Sequence, residues 1–475
     1  MRSSVFLLVM SMAAPGASPA PLSPCTIPDV EGDAQCGTYR VFEDRAANRG
    51  RTIDLNIVVL RARGAERQPD PLFVLQGGPG QGVAQLADFY GRVFAEVRRD
   101  RDIVLVDLRG TGKSNLLACP QLGVPDAGGA FDDNLLAPAA IAACRASLAS
   151  RADLTKYTTE TAVADLDEVR GALGYDRINL YGTSYGTYAA QTYMRDFPAR
   201  IRTVSMKGVV PHGQLAPLFH ARDGERAWQR LVERCAADAA CQAAYPALDR
   251  NLRAILATLA RQPETLTVKQ PDGSMATITL SARLFGELLR NMLYSPENAA
   301  RIPSVIRQAA AGDFSAVGPL AMRTRNGLSG ADISAGFFLS VTCAEGMAIL
   351  TPEAIAVHTR DTFAGDYRLQ QQRRACAAWP RATVSSRHGA PIRSTIPVLM
   401  LSGEMDPVTP PTRAEELLKL LPNASHITVP NNGHAFGKLE GCGNLLIARF
   451  IARASMKGTD TGCAGALAAV PFVYF

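Results

Sequence analysis

The stretch Asn179-Leu180-Tyr181-Gly182-Thr183-Ser184-Tyr185-Gly186-Thr187 decides how this chain is read. Ile178 and Leu180 give its start the apolar character of a strand, and the Ala-rich run 187–197 reads as a helix. Gly182 and Gly186 stand two residues either side of Ser184, the G-x-S-x-G spacing of a nucleophile elbow. The reason for that spacing is steric. A sharp strand-to-helix turn lifts a serine hydroxyl clear of a sheet, and small flanking residues let strand and helix come close enough to make it. The helix N-terminus then offers backbone N–H groups to developing negative charge. Alone, the pattern also fits an ordinary strand–turn–helix junction, so the context has to separate the two.

Towards the N-terminus, residues 71–75 form a short, wholly apolar strand of the kind covered on both faces. It runs into Gln76-Gly77-Gly78-Pro79-Gly80, a loop that brings bare backbone close to a substrate. Gly78 is expected to supply one oxyanion N–H and Tyr185 the other, with a simple turn as the plainer alternative. A helix over 81–98 and a buried strand over 101–107 follow. The next loop, 108–114, has the ending of a phosphate-binding loop, but Asp107 stands where its first glycine belongs. ATP or GTP binding is therefore rejected in favour of a structural loop. Further upstream, 36–44 and 51–63 read as strands. Thr52, Asp54 and Asn56 alternate there with Ile53, Leu55 and Ile57.

Residues 115–150 read as irregular and glycine-rich. An amphipathic helix covers 158–173, with Ala162, Leu166, Val169 and Leu173 on one side; Asp165, Asp167 and Glu168 are expected on its surface. A strand over 200–210 closes this half. From 212 to 390 helical patterns dominate, broken by one small hairpin over 265–280. Buried-strand character resumes at 396–401 and is followed by Ser402-Gly403-Glu404-Met405-Asp406-Pro407. A helix, a strand over 425–430, the loop Asn431-Asn432-Gly433-His434 and a last helix over 445–454 complete the pattern. Alternating strands and helices imply an α/β fold, a doubly wound and mostly parallel sheet with an inserted, mainly helical cap. The expected units are a core part over 36–211, a cap over 212–390 and a second core part over 391–475.

In such sheets reactive groups lie at the C-terminal ends of strands. Ser184, Asp406 and His434 all follow predicted strands, and their chain order is that of the α/β-hydrolases. His434 fits as the base that takes the serine proton and later as the acid for the leaving group. Asp406 would fix the imidazole tautomer. Glu404 is its rival, ranked lower because Pro407 fixes the turn directly after Asp406. The other five histidines, 212, 220, 358, 388 and 426, lack the Gly-rich loop after the last strand.

The composition bounds the rest. The chain has 475 residues, 47% of them hydrophobic, enough for a large core in two or three units. The net charge of +6 is spread along the chain without a dense basic run, so a solvated surface is favoured over nucleic-acid binding. Arg2, an apolar run over 5–12 and small residues to Ala20 form a signal-peptide layout over 1–20, too short for a stable membrane span. Pro24 ahead of Cys25 argues against a lipoprotein signal. Ten cysteines behind that segment imply disulfides and a secreted or periplasmic location. Sequential pairing would join 25–36, 119–144, 235–241, 343–376 and 442–463, although the sequence leaves connectivity open. Without a C-x-x-C pair and with few histidines, no metal or other cofactor is expected.

QGGPG, DLRGTGKS, TTETAVADLDEVR, INLYGTSYGTYAAQTYMRDFP, SGEMDPVTP and NNGHAF together resemble the secreted serine exopeptidases of the prolyl aminopeptidase and tripeptidyl aminopeptidase group. The resemblance covers residues 36–463. It implies hydrolysis of peptide bonds near a free N-terminus, with the cap gating a peptide substrate. It also implies a cap carboxylate for the substrate's α-ammonium. Val341-Thr342-Cys343-Ala344-Glu345 is similar to a cap motif of the group and makes Glu345 the candidate, against an ordinary surface glutamate. Two departures bear on specificity. Gln76 stands where the group has His, and Met206-Lys207-Gly208 where Leu-Asp-Gly is common. A carboxylester or amide hydrolase acting on small molecules with the same triad is the alternative, because the fold alone does not separate them. A non-catalytic binding protein is disfavoured by the complete triad, and dehalogenase or epoxide-hydrolase chemistry by the absence of an acid at 184.

Overall fold

The computed structural model describes residues 20–214, 217–270, 272–330, 333–435 and 440–474. The expected signal segment over 1–20 lies, except for Ala20, outside the described residues. The described residues form twelve strands: β1 (Leu22–Cys25), β2 (Ala34–Phe42), β3 (Thr52–Leu60), β4 (Leu72–Leu75), β5 (Ile103–Val106), β6 (Ala130–Phe131), β7 (Ile178–Thr183), β8 (Ile201–Lys207), β9 (Glu264–Lys269), β10 (Met275–Leu280), β11 (Val398–Gly403) and β12 (Ala424–Val429). Nine of them make one sheet in the order β1-β2-β3-β5-β4-β7-β8-β11-β12. The pairs from β5 to β12 are parallel, and β1, β2 and β3 are antiparallel additions at one edge.

The apolar runs β4, β5 and β11 are buried along their whole length because helices cover both faces. The period-2 alternation sorts their side chains. Phe73, Leu75, Leu180 and Met400 face one core; Leu72, Val74, Tyr181, Leu399 and Leu401 face the other. The chain first winds from β4 outward to β5, then returns past β4 to β7 on its other side. The loops after β4 and β7 therefore flank the switch point, where open parallel sheets hold their ligands. Buried Asn179 ties the strands together below it. Its Nδ2 donates to Asp70 at 2.7 and 2.8 Å, and its Oδ1 accepts from Thr203 Oγ1 at 2.7 Å.

Between β8 and β11 the described residues add no strand to this sheet. They contribute helices and the hairpin β9–β10. All ten cysteines pair sequentially, 25–36, 119–144, 235–241, 343–376 and 442–463. Among the described residues no single helix is long and apolar enough to cross a membrane.

Three regions differ from the sequence expectation. Residues 115–150 are not irregular throughout. They contain β6, parallel to β10, and a helix, Pro138–Leu148, that buries Ile141, Cys144 and Leu148. Asp165 is not on the helix surface; it is 1% exposed and holds Arg109, itself 0% exposed, at 2.6 and 2.8 Å. Arg109 also donates to the carbonyls of Phe42, Glu43 and Lys156, so the 108–114 loop is a structural tie. The N–H groups of Ala84 and Lys113 that converge there serve the Asp107 carboxylate. Finally, the C-terminal tail packs on the inserted helices. Arg234 lies 4.1 Å from the Phe472 ring and Val473 N–H donates to Ala300.

Candidate active site

Ser184 ends β7 with φ 54° and ψ −123°, a conformation that costs a non-glycine residue about 1–3 kcal/mol. The surroundings over-determine it. Its N–H donates to Lys207 O at 2.8 Å, and its carbonyl accepts from Thr187 N at 2.9 Å and Thr187 Oγ1 at 2.6 Å. The flanking glycines are required by contact. A Cβ on Gly182 would lie 2.4 Å from Gly186 O, and one on Gly186 2.1 Å from Leu75 O. The helix Tyr185–Asp196 starts directly behind the serine.

Asp406, 0% exposed, follows β11 in a turn that fills its carboxylate with donors. Oδ1 accepts from the N–H groups of Val408 and Thr409, both at 2.8 Å. Oδ2 accepts from Thr409 Oγ1 at 2.6 Å and from His434 Nδ1 at 2.8 Å. Burial alone would raise this carboxyl. The neighbouring imidazole and the Thr409 bonds outweigh it and hold Asp406 below its ordinary value. A carboxylate facing Nδ1 places the ring proton there, which leaves Nε2 as the acceptor. Glu404 serves elsewhere, accepting from Asn431 N–H. The His434 ring meets the edge of Tyr294 at 5.2 Å and sits so close to Gly208 that a Cβ there would lie 2.9 Å from Cε1.

Ser184 and His434 line one cavity of about 890 Å³ between the sheet's C-terminal edge and the inserted helices. Among the described residues no hydrogen bond joins Ser184 Oγ to His434. Catalytic contacts of this kind are commonly long before substrate binds. Gly78 and Tyr185 border a smaller hollow with Ser184, and among the described residues neither main-chain N–H has an acceptor. Gln76 steadies the Gly78 loop, its Oε1 accepting from Gly77 N–H and Tyr90 OH at 3.0 and 3.2 Å. Lys207 lines the larger cavity.

Glu345 is neither a surface residue nor part of the cavity wall. It is 2% exposed and accepts from Thr159 N at 2.6 Å and Thr159 Oγ1 at 2.7 Å. Thr159 Oγ1 lies 2.8 Å from Tyr185 OH, so the glutamate supports the residue behind the serine. The carboxylate that does line the cavity, among the described residues, is Glu287, and Arg290 grips it at 2.6 and 2.8 Å. Sequence reading missed Glu287, Arg290, Tyr294 and Arg368. The helical stretch 281–294 that carries the first three was recognisable, but which face meets the cavity was not; the helix Tyr367–Ala378 that carries Arg368 was not singled out.

Burial pushes the Glu345 carboxyl up to about 7, against the Thr159 bonds that lower it. Its folded value lies above the ordinary glutamate value of 4.5. The stabilisation it provides is therefore full below about pH 4.5 and lost as pH rises through about 7. The difference corresponds to on the order of 3 kcal/mol. Glu345→Gln should flatten this dependence: the wild-type Tm falls relative to the variant's from about pH 4.5 to 7. Parallel melting curves over that range would rule the assignment out.

The chain is similar to known proteins over much of its length. Residues 70–264 match the alpha/beta hydrolase fold family, and residues 361–463 match the TAP-like protein family. Serine protease Hip1 of Mycobacterium tuberculosis is 24% identical over 415 residues, 80% of this chain and 78% of that protein. Tripeptidyl aminopeptidase of Streptomyces lividans is 31% identical over 190 residues, 37% of this chain and 35% of that protein. Proline iminopeptidase of Neisseria gonorrhoeae is 27% identical over 158 residues, 33% of this chain and 36% of that protein.

Proposed function

The chain has the α/β-hydrolase fold, with residues 361–463 similar to the TAP-like protein family, and from that premise we propose that it is an exported serine aminopeptidase. The observation that carries the reading is the strained Ser184 facing the same cavity as His434, whose Nδ1 is held by buried Asp406 at 2.8 Å. In this reading His434 Nε2 takes the Ser184 proton as Oγ attacks the scissile carbonyl. The N–H groups of Gly78 and Tyr185 receive the oxyanion, each contributing a few kcal/mol. The imidazolium then protonates the leaving amine, and an acyl-enzyme is left on Oγ. Water, deprotonated by His434, releases the acyl group and restores the serine. Five disulfides support an oxidising destination.

A second reading is a carboxylester or amide hydrolase of small molecules. The favouring observation is that Glu287, the carboxylate lining the cavity, is already engaged by Arg290. The two readings part on one comparison, kcat/KM for aminoacyl and tripeptidyl substrates with free and with acetylated N-termini. An aminopeptidase loses on the order of 10- to 100-fold on blocking, the value of a charge-assisted hydrogen bond. Equal rates, together with faster turnover of simple esters, would leave the small-molecule reading in place.

A further inference from the structure

Beside the nucleophile lies the smaller hollow, about 110 Å³, which shares Ser184, His220 and Arg368 with the larger cavity. Besides the main-chain N–H groups of Gly78 and Tyr185, three of its side chains carry unanswered polar atoms. Gln372, 1% exposed, has neither its amide nitrogen nor its amide oxygen hydrogen-bonded. His220 Nδ1 and Arg368 Nε are buried with no partner. Among the described residues the Arg368 guanidinium makes no hydrogen bond or ion pair; the Phe338 ring lies 5.4 Å away, and the Glu287 carboxylate of the larger cavity, already held by Arg290, is near enough to feel its charge. Arg368 and Gln372 are four residues apart on the helix Tyr367–Ala378 and so project from one face. Arg413 also borders the hollow, with Asp223 as its partner at 2.8 Å. Among the described residues no carboxylate lines it.

Buried polar groups are normally satisfied, and an unpaired guanidinium next to an unpaired amide is costly. Water can fill such a hollow, but water brings no charge. The surroundings ask for a negative one. Burial, and then the charges of Arg290, Arg368 and Arg413, push His220 well below its ordinary value, so the imidazole is a neutral donor in a positive field. A substrate ammonium would be repelled here. The volume suits a side-chain-sized group. The carboxylate's planar pair of oxygens matches a guanidinium fork, with further donors from an amide and an imidazole.

We propose that Arg368, His220 and Gln372 form a carboxylate-binding subsite beside Ser184, which makes acidic substrates the preferred ones for this hydrolase. The proposal rests on Ser184 being the nucleophile of the reading above. The carboxylate can come from an acidic side chain on the acyl residue or from the free C-terminus of the departing amino acid. Two comparisons distinguish these sources: glutamyl against glutaminyl anilides, and dipeptides against their C-terminal amides. In either case the acid should be favoured on the order of tenfold or more in kcat/KM, and Arg368→Met should bring the ratio close to one.

A binding measurement separates this subsite from catalysis. Titration calorimetry of Ser184→Ala protein with glutarate and with glutaramide should show the dicarboxylate bound about tenfold tighter. The preference should vanish in Ser184→Ala/Arg368→Met. Gln372→Glu, which leaves Arg368 in place and supplies an internal carboxylate, should abolish it as well and guards against a folding defect in the first variant. Preferential glutarate binding without any peptide turnover would uphold the subsite and remove the peptidase reading. Equal binding of glutarate and glutaramide, with acid and amide substrates cleaved alike, would overturn the proposal.

Discussion

Ser184→Ala should lower kcat on the best peptide substrate by on the order of 10⁵- to 10⁶-fold while leaving the fold intact. The hydroxyl is the one atom removed, and in the proposed reaction every covalent step passes through it. Without Oγ, His434 has no proton to take and no acyl-enzyme forms. What is left is the background from the oxyanion donors and from substrate positioning. The fold should tolerate the change because alanine at φ 54° is strained no more than serine, and the bonds that hold this turn are main-chain ones to Lys207 and Thr187. Two measurements check it, steady-state rates and the mass shift after a serine-directed phosphonate. The wild type should gain one adduct, at Ser184, and the variant none. A variant that retains a hundredth of the activity would show that another group attacks the carbonyl.

The parts of this site that could be read from sequence are those whose cause is local. Gly182 and Gly186 announce the close packing of strand on helix, because a Cβ at either would strike backbone. The buried strands β4, β5 and β11 announce themselves as unbroken apolar runs. Asp406 is legible because it stands just after such a strand, β11, whereas His434 follows the half-buried β12 and stands out by its Gly-rich loop. The parts that were missed depend on partners far along the chain. Glu345 looks like a substrate ligand until Thr159, 186 residues away, is seen to take its carboxylate. Asp165 belongs to a helix face that would be exposed but for Arg109, 56 residues away, and Arg45, 120 residues away. The helix Pro138–Leu148 was hidden in a glycine-rich neighbourhood, although Ile141, Cys144 and Leu148 carry helical spacing. The hollow at Arg368 was beyond reach for the same reason. An arginine without a partner is a statement about everything around it, and no window of sequence contains that.

Asp406→Asn should cost on the order of 10⁴-fold in kcat with little change in binding. The change keeps size and removes a charge, so the argument turns on which way hydrogen bonds point. In the wild type both carboxylate oxygens accept, Oδ1 from two main-chain N–H groups and Oδ2 from the Thr409 hydroxyl and His434 Nδ1. An asparagine has one accepting atom. The two N–H groups of Val408 and Thr409 cannot turn away, so the amide oxygen must face them. The amide nitrogen is then left against His434 Nδ1, where it donates. That forces Nδ1 to accept and moves the ring proton to Nε2, the atom that must take the Ser184 proton. The base is therefore disabled without being displaced. Loss of the buried negative charge also withdraws support for the imidazolium as it forms. Glu404→Gln is the control, since Glu404 bonds to Asn431 N–H and not to the imidazole, and it should stay within about twofold of wild type. Steady-state rates of the two variants on one peptide decide the matter. If Asp406→Asn stays within tenfold of wild type, the carboxylate at 2.8 Å from Nδ1 is not what orients His434.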